Sequence, residues 1–343
     1  MLAISAADAI SPAIQRTITF LFRPFRLSTY LKLCLVAVVT EGFGGNFNFS
    51  GPSGHTSKHG ASFFPLPTLT SGWIAVLVAI SAVSIVIGCL LFYLITRLRF
   101  AYFHCLIHNT KEIGPGWRLY RAPATQFFWL NLAVGLCFLL VAALIALPFA
   151  AGFWRLFRNT GGHPDVGSML ALILPLIPII LLLVLAALAV DLILRDLMLP
   201  HFALENATAD EAWSAAWTHI KAEKGGFFVY ALLRVILPIV AVVGLFVVLI
   251  LPSLVFIAAV VAVEVGLHVA FANSLIGIFL EVLVGLVAFG IALAVGIGVG
   301  GPVSTAIRQY ALLFYGSRYQ PLGDILFPSP PNVDLNAPGI APV

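Results

Sequence analysis

Residues 169–199 read MLALILPLIPIILLLVLAALAVDLILRDLML. No charge appears before Asp191, and the apolar run exceeds the roughly 20 residues that an α-helix needs to cross a bilayer. Pro175 and Pro178 fall inside it, and proline is commoner in membrane helices than in soluble ones. Similar runs stand at Tyr30–Phe43, which is short, and at Trp73–Thr96, Phe127–Ala151, Phe227–Leu251 and Leu275–Val299. A seventh, Leu254–Ala272, is interrupted by Glu264 and His268 and reads as lying in the interface or dipping in and out. Composition agrees: 61% of residues are hydrophobic, 9% are charged and the mean hydropathy is +1.07. Such a chain lacks the polar surface a soluble domain requires.

The expected fold is therefore all-α, a polytopic transmembrane helical bundle of about six spans arranged as three hairpins. Positive flanks are retained in the cytoplasm, which sets the orientation. Six spans with both termini inside place only Lys58, Arg155 and Arg158, of 18 Lys and Arg residues, on the outer side. Counting Leu254–Ala272 as a further span would move Arg308 and Arg318 outside and weaken that asymmetry. The start MLAISAADAI has no basic stretch followed by an apolar core, so it does not read as a cleaved signal peptide. Residues 1–320 form one membrane-embedded helical domain, and 321–343, with six prolines, read as a disordered cytoplasmic tail.

Each hairpin has a similar entrance: RPFRLSTYLKLCLVAV from Arg23, RAPATQFFWLNLAVGL from Arg121 and KAEKGGFFVYALLRVI from Lys221. A basic residue, a short linker and an aromatic precede each apolar run. Cytoplasmic amphipathic helices are expected before the odd-numbered spans. In Asp8–Phe22, Ile10, Ile14, Thr17, Ile18 and Leu21 share one face, with Ser11 and Pro12 suited to a helix start. In Ala209–Lys221, Ala212, Trp213, Ala216, Trp217 and Ile220 share a face, and Thr208 with Glu211 forms a capping box. The middle one, near Trp117–Arg121, is broken by Gly114, Pro115, Gly116 and Pro123. The stretch Gly42–Gly72 and the turn Asn159–Gly162 read as loops.

Ionisable groups inside spans are costly and need partners. Asp191, Arg195, Asp196 and Arg234 form the strongest candidate cluster. Asp191 and Arg195 are spaced i, i+4, and Arg234 at a similar depth on the next helix is expected to pair with Asp191. It is the one basic residue expected to have a specific partner. Such a cluster reads first as a structural clasp, second as an ion or substrate relay. A second candidate group, on the outer side, comprises Glu41, Glu264, His268 and Glu281, either packed between helices or forming a proton- or cation-coupling site. Ala288, Ala292, Gly296 and Gly300 make a small-residue stripe on the last span, where another helix could approach closely.

The remaining motifs carry less. His55 with His59 and His104 with His108 are i, i+4 pairs without a third ligand at a recognisable spacing, so no metal is called for. GIGVGG at 296–301 lacks the strand and the Lys-Ser/Thr of a phosphate cradle. Cys34, Cys89, Cys105 and Cys137 show no paired spacing and read as buried apolar residues. No catalytic constellation stands at a convincing spacing, and no cofactor is implied. The net charge of +4 suits anionic lipid head groups, whereas nucleic acid would require a dense basic patch.

The stretches SPAIQRTITFLFRPFRLSTYLKL from Ser11, GFGGNFNFSGP from Gly42, RDLMLPHFALENATADEAWSAAWTHIKAEKGGFFVYALLR from Arg195 and IRQYALLFYGSRYQPL from Ile307 resemble a group of uncharacterised bacterial multi-pass membrane proteins. That group is carried as domains of unknown function. More loosely, the layout is similar to the membrane domain fused to some glycerophosphodiester phosphodiesterases, whose catalytic domain is absent here. The resemblance implies a bacterial inner-membrane bundle and points to Asp196, Pro200, Trp213, Tyr230 and Arg234. The first functional expectation is a non-enzymatic scaffold or regulator acting on a membrane-protein partner or as a homodimer. A small-solute or ion-coupled transporter comes second, and a membrane-embedded lipid-modifying enzyme third.

Overall fold

A computed structural model describes residues 4–42, 71–161, 165–271 and 274–328. Most of the Gly42–Gly72 loop, with Lys58, His55 and His59, and the tail beyond Pro328 lie outside these residues. The described chain is helical: α1 (Ile10–Phe22), α2 (Leu27–Gly42), α3 (Ser71–Ile107), α4 (Ile113–Leu119), α5 (Arg121–Asn159), α6 (Val166–Ile173) and α7 (Leu176–Leu192). A π-turn (Ile193–Met198) follows, then α8 (Leu199–Leu204), α9 (Ala209–Ala222), α10 (Lys224–Ala270), α11 (Leu275–Gly316) and α12 (Gln320–Leu326).

Five helical stretches are long and apolar enough to cross a membrane: Ala75–Ile107, Arg121–Asn159, Val166–Leu204, Lys224–Ala270 and Leu275–Gly316. In each, the most apolar window contains no buried residue. The buried hydrophobic core lies at one end of the molecule, the base, where Phe100, Phe127, Phe202, Tyr230, Phe314 and Leu322 pack together. The division has a physical cause. Aliphatic side chains gain little by leaving lipid for one another, so helix contacts form where small, aromatic and polar side chains provide shape and hydrogen bonds.

Three expectations about the spans are corrected. Leu254–Ala272 is not a separate interfacial segment. As far as Ala270 it continues α10, a single helix of 47 residues that carries Pro238 and Pro252 inside it. The short first run, Tyr30–Phe43, coincides with α2, whose 16 residues rise only about 24 Å, less than a hydrocarbon core of about 30 Å. α2 also packs chiefly on α11 rather than pairing with α3 as a hairpin. Tyr30, Cys34 and Glu41 meet Gly298, Gly301 and Arg308 in that order, so the two helices run parallel, whereas first and sixth spans would run antiparallel.

The close approach on α11 lies beside the expected small-residue stripe. A Cβ at Gly301 would fall 2.3 Å from Cys34 Cβ and 2.6 Å from its Cα, so only glycine fits. On the stripe itself, Ala292 and Gly296 are exposed, a Cβ at Gly296 would meet nothing, and one at Gly300 would make ordinary contact with Val38 at 3.5 Å. Pro302 adds a second reason for this register. Having no N–H, it leaves the Gly298 carbonyl without its helical donor, and the Tyr30 hydroxyl donates to that oxygen at 2.6 Å.

The short helices are built much as their sequences suggest, with different faces inward. α1 buries Ala13, Thr17, Phe20 and Leu21, while Ile14 and Ile18, expected to share one apolar face with Thr17 and Leu21, are exposed. The small Ala13 lets the backbone sit close, and the larger isoleucines are turned outward. α9 has the expected capping box: the Thr208 N–H donates to Glu211 Oε2 at 2.8 Å. That backbone bond, with the Thr208 hydroxyl, holds the Glu211 carboxyl below the usual range. Ala212 and Ala216 are buried under α9, and Trp213 stacks on Trp217 at its margin. The expected domain boundary at 320/321 falls inside α12, where Pro321 sits in the first turn and Leu322, Gly323 and Leu326 are buried.

Three substitutions test the α2–α11 contact by thermal unfolding in detergent. Gly301→Val is expected to cost at least about 3 kcal/mol, because backbone rather than a flexible tip must move, while Gly296→Ala leaves the midpoint unchanged. Tyr30→Phe is expected to cost about 1–3 kcal/mol by stranding the Gly298 carbonyl. Equal midpoints for Gly301→Val and Gly296→Ala would contradict the packing described.

Candidate functional site

The π-turn sets the geometry of the buried charges. Its extra residue sends the Leu199 N–H to the Leu194 carbonyl, five residues back. The next residue that could serve the Arg195 carbonyl is Pro200, which has no N–H. That oxygen is therefore left without a helical donor, and Arg308 Nη1 donates to it at 3.0 Å. The same bulge turns both Arg195 and Asp196, neighbours in sequence, into the interior.

Asp196, 2% exposed, is the hub. Its Oδ2 accepts from the Tyr230 hydroxyl at 2.7 Å and from Arg234 Nε at 2.9 Å. Its Oδ1 accepts from Arg308 Nη1 at 2.8 Å. Glu41 closes the arrangement: Arg234 Nη2 donates to its Oε2 at 3.2 Å, and Arg308 Nε lies 3.8 Å from its Oε1. Two carboxylates thus alternate with two guanidiniums, one group each from the π-turn, α2, α10 and α11. Arg195 Nε lies 2.7 Å from Asp191 Oδ1, near enough for an ion pair though poorly aligned for a hydrogen bond. Arg99 Nε donates to the Thr40 carbonyl at 3.0 Å, in the last turn of α2. The space among Thr40, Glu41, Arg99, Tyr102, Arg195, Leu199 and Arg308 is too small for a water molecule. Tyr230, which donates to Asp196, is itself stacked on Phe314 with centroids 4.3 Å apart.

Of the four residues expected to cluster, Asp196 and Arg234 meet in the charge centre, and Asp191 and Arg195 form a separate pair. Asp191 and Arg195 pair as spaced, whereas Arg234 reaches Asp196 and Glu41 instead of Asp191. The π-turn rotates Asp196 toward α10 and leaves Asp191 beside Arg195. Glu41 leaves the expected outer-side group altogether, because α2 runs parallel to α11 and ends at the base. Arg99 and Arg308, which the six-span topology puts on the cytoplasmic flanks, are buried. A signal for Arg308 was available: it is the one charged residue in GPVSTAIRQYALLFYG, where every other residue but Gln309 is apolar or hydroxylic.

The other three members of the outer-side group do converge. His268 Nδ1 lies 3.1 Å from Glu281 Oε1, and Glu264 packs near Gly285. With Val265, Val269 and Val282 they line an open groove of about 460 Å³. No charged residue lies between Arg234 and Glu264 on α10, or between Glu281 and Arg308 on α11. At 1.5 Å per residue those gaps are about 45 Å and 40 Å, the thickness of a bilayer with its head groups. The two polar levels therefore fit opposite membrane boundaries, and Glu281 belongs to a boundary rather than the middle of a span.

A third set was not anticipated. In the base, His201 Nε2 lies 2.7 Å from the Tyr315 hydroxyl and His201 Nδ1 lies 3.2 Å from Glu205 Oε2. The i, i+4 spacing of His201 and Glu205 was legible; the contact to α11 was not. His104 and His108 stand with ring centroids 4.6 Å apart, and His104 Nδ1 faces the Tyr120 hydroxyl at 3.5 Å. Among the described residues no three His, Cys, Asp or Glu side chains are placed to hold a metal ion.

A family model described as a family of unknown function, DUF7544, matches residues 4–325, and the chain belongs to that family. No curated protein matches the chain. No solved structure matches it either. The looser likeness to the membrane domain of glycerophosphodiester phosphodiesterases is accompanied by no match.

Breaking one member of a buried charge network leaves its partners uncompensated. Asp196→Asn is expected to cost about 3–5 kcal/mol, because it strands both Arg234 and Arg308. Asp191→Asn, at the half-exposed edge, is expected to cost about 1 kcal/mol or less. A double-mutant cycle of Asp196→Asn with Arg234→Met, followed by thermal unfolding, should give a coupling above about 1 kcal/mol. Strict additivity would sink the hub assignment.

Proposed function

We propose that this integral membrane protein is a non-enzymatic scaffold or regulator that organises a membrane-protein partner, or a second copy of itself, through its apolar arms. The observation that carries this reading is the closed charge centre. Its groups neutralise one another, join four segments and leave no space for water, so they serve cohesion rather than passage of a solute. The arms, by contrast, present long helix faces that none of the described residues covers, and such faces in a bilayer meet lipid or other helices. The same reading places the protein in a bacterial inner membrane with the base and both termini on the cytoplasmic side. The basic residues then meet anionic head groups there.

A small-solute or ion-coupled carrier is the alternative. The open groove at Glu264, His268 and Glu281 favours it, since two carboxylates and an imidazole in a wet groove can exchange protons or bind cations.

Purification of the full chain in mild detergent, with quantitative identification of bound proteins, separates the two. The scaffold reading expects one protein, or a second copy, at a fixed stoichiometry, lost when bulky substitutions such as Ala292→Trp are placed on an arm. A partner-free monomer whose reconstituted vesicles show a flux abolished by Glu281→Gln would replace this reading with the carrier.

A further inference from the structure

We propose that the exposed face of α1 and the turn joining it to α2 seat the head groups of anionic lipids, with Arg23, Arg26 and Lys111 taking the phosphates. This inference rests on the membrane location and not on the scaffold reading.

Two faces of α1 are apolar. One, through Ala13, Thr17, Phe20 and Leu21, is buried in the base. The other continues through Ile14, Ile18, Phe22, Phe25 and Leu27, which are between 42% and 62% exposed. Ile14, Ile18 and Phe22 follow at i, i+4 steps, with Ser11, Gln15, Thr19 and Arg23 exposed beside them. An apolar stripe bordered by polar and basic residues on a short helix fits the plane of a membrane interface.

The turn adds charge at the end of the stripe. Arg23 and Arg26 are exposed three residues apart, and Lys111 Nζ donates to the Pro24 carbonyl at 2.8 Å, bringing a third cation to the same corner. Among the described residues none of the three lies within ion-pair distance of a carboxylate, and Glu112, the exposed neighbour of Lys111, pairs with none of them. The arginines of the base interior, by contrast, are matched by Asp196, Glu41 and Asp191. Phe22, Phe25 and Tyr30 form an aromatic plate with centroids 5.4–6.1 Å apart. The Tyr30 bond to Gly298 pins this plate where the buried part of α11 gives way to its exposed arm.

Unpaired cations and aromatics at the end of an apolar stripe match a lipid, whose phosphate lies at the end of its acyl chains. An acidic protein surface would account for the cations and leave the stripe uncovered.

The test uses the full chain in phosphatidylcholine nanodiscs containing a minor fraction of phosphatidylglycerol, reading retention of each lipid after partial delipidation by native mass spectrometry. Wild-type protein is expected to retain phosphatidylglycerol preferentially. The R23Q/R26Q variant should lose that preference by about fivefold per arginine, or about 25-fold for the pair. R23K/R26K should keep most of it, which guards against a folding defect. R155Q/R158Q removes two exposed charges elsewhere and should change nothing; an equal loss there would reduce the effect to net charge and overturn the site. Displacement of the lipid by excess inorganic phosphate would overturn it too. So would a R23Q/R26Q variant that keeps its lipid but sheds a co-purifying protein.

Discussion

A carbonyl at the end of a helix has no intrahelical donor, and in a protein with so little water around it that oxygen must find one from a side chain. This constraint organises the base. Arg99 donates to Thr40 at the end of α2, Arg16 to Leu106 and Ile107 at the end of α3, Arg97 to Trp117 at the end of α4, and Arg318 to Phe314 at the end of α11. Breaks in the middle of helices follow the same rule: Arg308 serves the carbonyl freed by the π-turn, and Tyr30 serves the one freed by Pro302. Guanidiniums suit the task because each offers several donors and its positive charge complements the negative end of a helix. The accumulation of arginine at one end of the molecule is thus a hydrogen-bonding requirement as well as a topological bias.

Once arginines are drawn into the interior for their donors, carboxylates must follow to balance them. Asp196 and Glu41 occupy that position between Arg234 and Arg308, and Asp191 does so beside Arg195. The arrangement gives little net stability relative to a well-packed apolar equivalent, yet it penalises any other register strongly, since each misplaced partner leaves a bare charge. A π-turn is one way to present two adjacent residues, Arg195 and Asp196, to the same interior, which a regular α-helix turns about 100° apart.

The helical membrane class, the capping box on α9 and part of the polar cluster, Asp196 with Arg234, were legible in the sequence because each rests on local pattern: run length, i to i+3 chemistry, charge inside an apolar segment. What was not legible depends on contacts between distant segments. Nothing near Glu41 says that α2 will lie parallel to α11, so its carboxylate was assigned to the wrong end of the molecule. Small residues spaced four apart suggested a packing stripe, but the choice of Gly301 over Gly296 is made by Cys34, more than 260 residues away. Glu264 and His268 looked like interruptions of a span, and only the facing Glu281 shows why a continuous helix tolerates them. The apolar division of α1 into two faces was likewise hidden, since periodicity reports that a face is apolar and not what covers it.

The parallel docking of α2 against α11 also bears on the order in which the molecule can be made. At synthesis rates of about 5–20 residues per second, α11 leaves the ribosome some tens of seconds or less after α2. Throughout that interval Glu41 lacks Arg308, Cys34 has no glycine to rest against, and the hydroxyl of Tyr30 has no carbonyl to serve. The N-terminal hairpin must therefore wait in a provisional state and be fastened last. A nascent chain stopped before residue 298 would lose more than its last helices, because the first segment made would have no place to settle.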